Sequence, residues 1–115
     1  MKTLTWDEVL KMVLVGRDLE IQEGEFVFRG PIASIQKGIN NIEIKTKWTA
    51  KLTKDGWKLL EKNGNCLIPT DMRWSTPYYF EGTIHFSIPY IGTAIIFPTG
   101  SNVDEREVEG LLEQK

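Results

Sequence analysis

The chain has 115 residues, 41% of them hydrophobic and 26% charged, with a formal net charge of −2. That length suits a single domain over 1–115 with a core of its own, and the composition excludes intrinsic disorder and a long apolar membrane-spanning run. A net charge so close to zero draws no one class of partner.

The opening Met1-Lys2-Thr3-Leu4-Thr5-Trp6 runs straight into Asp7 and Glu8, without the basic start and apolar stretch of a secretory leader. Cys66 is the single cysteine, so neither an internal disulfide nor a CxxC pair is available. A cytoplasmic setting is the expectation.

Thr5 and Glu8 form a capping-box spacing and Leu4 can staple against Val9, which predicts a first helix. Trp6, Val9, Leu10, Val13 and Leu14 recur at helical spacing as its apolar stripe, and Gly16 ends it. From Leu19 the period becomes two. Leu19 and Ile21, a Glu23-Gly24 turn, then Phe26 and Phe28 predict a hairpin that Arg29-Gly30-Pro31 breaks. Ile42, Ile44, Thr46, Trp48, Ala50 and Leu52 alternate with Glu43, Lys45, Lys47, Thr49 and Lys51, one long strand with a wet side. Asp55-Gly56 signals a hairpin that returns Trp57 and Leu59, with the register set by the loop length. From Cys66 to Pro77 the chain reads as loop. Phe80, Gly82, Ile84, Phe86 and Ile88 alternate as a further strand, and Thr93 to Phe97 is apolar throughout. Ser101 with Asp104, or Asn102 with Glu105, opens a final acidic helix with a thin apolar stripe and Gly110 inside it. The sum is an α+β fold: an N-terminal helix, a strongly bent or barrel-like antiparallel sheet of about six strands, and a short C-terminal helix.

Chemistry is sparse in this pattern. His85, the one histidine, stands on a polar strand face between Thr83 and Ser87, with Glu81 on the same side; as a catalytic base it requires a partner brought by the fold. Cys66 lacks the cationic neighbours of a reactive thiol. Neither GxGxxG nor GxxxxGK[ST] occurs, and one cysteine with one histidine leaves a zinc or iron site short of ligands. No catalytic residue, metal or cofactor is expected, and the protein is not read as an enzyme.

Two binding surfaces stand out. From Lys37 to Lys62 seven lysines face three acidic residues, a local net of +4 against −6 for the remainder. Lys45, Lys47, Lys51 and Lys58 then form a candidate nucleic-acid surface, although the aromatics that would stack on bases are expected to point inward. Met72, Arg73, Trp74, Tyr78 and Tyr79 are residue types enriched at protein interfaces. The leading expectation is a small interaction module that binds another macromolecule, a protein, through that loop. Nucleic-acid binding through the lysines is the alternative, as is a small-ligand-binding barrel with Phe80, Ile84, Phe86 and Ile95 around its interior. An uncovered edge strand leaves a homodimer open.

Overall fold

The computed structural model describes residues 2–61, 64–70 and 76–98. Within them lie β1 (Lys2–Thr3), α1 (Trp6–Leu10), β2 (Asp18–Glu23), β3 (Phe26–Lys37), β4 (Asn41–Thr46) and β5 (Thr49–Thr53). β6 (Gly56–Glu61), β7 (Gly64–Pro69), β8 (Tyr78–Phe80), β9 (Thr83–Ile88) and β10 (Gly92–Ile96) complete the order. All pairings are antiparallel, in the sequence β1-β8-β9-β10-β2-β3-β4-β7, with β5 beside β3 and β6 beside β5. This overturns the expected α+β fold of about six strands: ten strands form an open sheet, with one short helix as the helical content of the described residues. The expected C-terminal helix lies outside the described residues.

The helix is shorter than its apolar stripe. Its start is as expected: Glu8 N donates to Thr5 Oγ1 and Thr5 N to Glu8 Oε1, both at 3.1 Å. Donation from Thr5 N, and next from Thr5 Oγ1 at 3.2 Å, holds the Glu8 carboxyl below its ordinary range. The helix stops at Leu10 because the next residues serve the sheet. Gly16 N donates to Ile32 O and Ile32 N to Arg17 O, each at 2.8 Å, with Gly16 at φ +91°. Five helical residues supply too few backbone bonds to compete with that anchorage, and Val13, expected on the buried stripe, is 87% exposed.

Three strand readings also change. Gly64–Pro69, which includes the start of the loop expected from Cys66 to Pro77, pairs residue for residue with β4, its terminal Pro69 opposite Asn41 on an outer strand that needs no further N–H. The single strand read through Phe80 and Ile88 is a hairpin, because Glu81 (φ +49°) and Gly82 (φ +86°) both adopt left-handed backbone and Phe80 pairs with Thr83. The long strand from Ile42 to Leu52 divides at Lys47-Trp48. Arg29-Gly30-Pro31 does not end β3.

Instead β3 carries the chain around a corner. Its first half pairs with β2 on one edge and at Phe28 and Arg29 with β5 on the other; its second half pairs with β4, with a register shift between Ile32 and Ser34. Pro31 lacks an N–H but its carbonyl accepts from Lys47 N at 3.0 Å, and Gly30 lies so near the Trp48 carbonyl that a Cβ there would overlap it. One half of the bent sheet holds β1, β8, β9, β10, β2, β5 and β6, and the other holds β4 and β7.

The two halves fold towards each other over one core. Leu19, Ile84, Phe86, Ile88, Ala94 and Ile96 come from the first half and Ile32, Ile42, Ile44 and Ile68 from the second. Trp6, Val9 and Leu14 close that core, Trp6 meeting Phe86 edge to face at 5.1 Å. Asp7 reaches Lys37 at 2.9 Å, an exposed pair of small energetic weight. On the other face of the sheet, Trp48 and Ala50 make a second small cluster with Trp57 and Leu59.

Gly30→Ala is expected to lower stability by about 3 kcal/mol and the melting temperature by roughly 10 °C, since the overlap is with backbone. Gly24→Ala, in an open turn at φ +60° with no neighbour within 4 Å, is expected to cost only about 1–2 kcal/mol. Thermal unfolding of the two variants checks this; equal melting points would show that the corner opens freely.

Candidate functional site

Between the two halves, the inner surfaces leave a partly open cleft of about 460 Å³. One wall is Leu19 and Ile21 of β2 with their β3 partners Gly30 and Phe28, joined by Ile88 and Ile91 at the end of β9 and the turn after it. Ile44 and Thr46 of β4, with their β7 partners Cys66 and Gly64, make the facing wall, and Thr49 and Leu60 line it from β5 and β6. Strand alternation explains these positions, which are the inward members of their pairs. Asn65 and Leu67 of β7, from the alternate positions, also border the cleft, with Asn65 Nδ2 donating to Glu43 Oε2 at 3.4 Å.

The lining is apolar with few polar groups. Glu23 stands exposed at the end of β2. Arg29 also borders the cleft, but its guanidinium is engaged by Glu20 at 3.0 Å and lies 4.4 Å from the Phe97 ring and 5.5 Å from that of Trp57. The Thr46 and Thr49 hydroxyls stand 3.3 Å apart within hydrogen-bonding reach of each other. Burial pushes the Cys66 thiol up to about 11, so it is neutral near pH 7.

The residues singled out in the sequence lie elsewhere. Met72, Arg73 and Trp74 fall outside the described residues. Tyr78 and Tyr79 of β8 are 36% and 39% exposed, and Tyr78 stacks on His85 with ring centroids 4.9 Å apart. His85 bonds Thr83 Oγ1 at 2.6 Å; it has no carboxylate bonded to it among the described residues. The lysines divide into two pairs. Lys45 and Lys47 are exposed on β4 and just after it, whereas Lys51 and Lys58 pair with each other across β5 and β6, with Lys51 Nζ 4.1 Å from the Phe26 ring centroid.

Of the interior positions expected for a ligand-binding barrel, Ile84 and Phe86 are buried in the main core, Phe80 is 48% exposed, and Ile95 pairs with Glu20 and His85. None of the four lines the cleft. Of those that do, Leu19, Ile21, Phe28, Ile44, Thr46, Thr49 and Ile88 are expected from the sequence as strand members, Arg29 and Gly30 as a break, and Cys66 and Leu67 as loop. Their one signal was Thr46, a hydroxyl set into the otherwise apolar inward series of Ile42 and Ile44.

No group of three or more His, Cys, Asp or Glu side chains that could hold a metal ion occurs among the described residues. Likewise, no described helix is long and apolar enough to cross a membrane. Nothing positive indicates catalysis.

Cys66 reports on the cleft. With its thiol pushed up to about 11 by burial, alkylation at pH 8 is expected to run on the order of 100-fold slower than for an exposed free cysteine. Timed iodoacetamide labelling followed by mass spectrometry measures this, and a rate equal to that of free cysteine would show a solvated thiol. The chain matches no protein-family model, no curated protein and no solved structure.

Proposed function

We propose that the protein binds a small, largely apolar molecule in the cleft between the two halves of its sheet. The carrying observation is the cleft itself: about 460 Å³ bordered by Leu19, Ile21, Phe28, Ile44, Ile88 and Ile91. That volume falls in the range of about 300–1,000 Å³ used for small-molecule sites. Water in such a space finds few of the two to four polar partners that hold it well, so its replacement by an apolar molecule is favourable. Walls built from paired strands are also largely preformed, which limits the ordering cost of binding.

The nucleic-acid reading has less support. Lys45 and Lys47 belong to one half of the bent sheet and Lys51 and Lys58 to the other, and the Lys51 ammonium already faces the Phe26 ring.

Naphthalene is a suitable first probe, since it is rigid, uncharged and fluorescent. It is expected to bind with a dissociation constant on the order of 100 µM, about 5.5 kcal/mol, and to slow the alkylation of Cys66. Cys66→Phe, which places a ring in the cleft, is expected to weaken binding at least tenfold with little change in melting temperature. Fluorescence anisotropy and calorimetric titration check both; equal binding to the folded Cys66→Phe protein would place the probe elsewhere and overturn the proposal.

A further inference from the structure

We infer that the cleft reads one uncharged oxygen on its ligand, through the paired hydroxyls of Thr46 and Thr49, so that the bound molecule is an apolar body with an alcohol, phenol or ketone head. This rests on the cleft being the binding site, and it adds the chemical class. Thr46 is the buried polar member of the inward series on β4, and Thr49 begins β5 on the far side of the bend. Bending brings the two hydroxyl oxygens to 3.3 Å, and both residues border the cleft.

Within this pair, one hydroxyl donates to the other, so one hydrogen remains free to donate and lone pairs remain to accept. Their mutual bond is the one hydrogen bond that each hydroxyl makes among the described residues. Gly64, which pairs with Thr46 across β4 and β7, lets both hydroxyls pack against its backbone, since a Cβ there would overlap both oxygens. A hydroxyl pair bordering an apolar space recognises an oxygen head by hydrogen bonding, and it discriminates against a molecule that leaves the pair unmatched.

The charge pattern sets the head as neutral. A carboxylate or ammonium taken from water needs a compensating charge. Arg29, the cation bordering the cleft, has its guanidinium committed to Glu20 and the rings of Trp57 and Phe97. Glu23 disfavours an anion beside it and, being exposed to water, gives an ammonium little compensation.

Three probes of one shape separate this inference from the reading beneath it: naphthalene, 2-naphthol and 2-naphthoate, titrated at pH 7 by calorimetry. 2-Naphthol is expected to bind about 5- to 10-fold more tightly than naphthalene, and 2-naphthoate at least tenfold more weakly than 2-naphthol. In the Thr46→Val/Thr49→Val double variant the ratio of naphthol to naphthalene affinity should fall to about one, whatever the absolute affinity for naphthalene. Each single variant, checked for its melting temperature, carries the test should the double one not fold. Naphthalene binding without a naphthol preference, or a preference untouched in the folded valine variants, overturns this inference alone. Naphthoate binding as tightly as naphthol overturns the neutral head. Binding of none of the three overturns the cleft reading and this one together.

Discussion

The close approach of two backbones at one corner governs the architecture. Gly30 of β3 lies against the Trp48 carbonyl, Pro31 accepts from Lys47 N, and Ile32 exchanges hydrogen bonds with Gly16 and Arg17. A side chain at Gly30 would hold the strands apart, and a residue other than proline at 31 would add an N–H needing a partner at the bend. Because the neighbouring chain divides at the same level, between β4 and β5, the sheet turns as a unit. That bend brings the inner faces together, creating the core and, next to it, the cleft, with Leu19, Ile44 and Ile88 shared between them.

The bend also gives the sheet a second buried surface. Trp48 and Ala50 lie in the same alternating series as Ile42, Ile44 and Thr46, yet they join Trp57 and Leu59 in a separate cluster, because the series changes surroundings at Lys47-Trp48. Arg29 sits at this outer cluster with its carboxylate partner Glu20 opposite it on β2. With side-chain exposures of 13% and 12%, the pair is shielded from solvent, and Arg29 Nε has no hydrogen-bond partner among the described residues. Such a pair adds little net stability, because desolvation offsets much of the attraction. Its consequence for the cleft is electrostatic: the guanidinium is committed, and the other polar groups at the lining are the Thr46 and Thr49 hydroxyls, Asn65 and the exposed Glu23.

Much of the local structure was legible because short-range chemistry dictates it. The Thr5–Glu8 capping box, the Glu23-Gly24 and Asp55-Gly56 turns and the alternation from Ile42 to Ala50 each depend on residues a few positions apart. Errors arose where a distant partner overrode the local signal. Gly64–Pro69 has turn-like composition and becomes a strand because β4 offers it a ladder; the apolar stripe through Val13 lost its helix because Gly16 and Arg17 bond Ile32. Glu81-Gly82 is the exception, a local hairpin signal hidden in a run whose alternation continued through it.

The sequence by itself determined the antiparallel pairing, the inward series from Ile42 to Thr46 and the helix start, since these follow from period, capping and turn preference. Tertiary structure alone decided where the sheet bends, which inner surfaces face one another and that Thr46, Thr49, Gly64 and Cys66 border a common space. The reason is physical: a period of two says which residues share a side of a strand, but the sheet's curvature, set by contacts such as Gly30 against Trp48, decides what that side confronts.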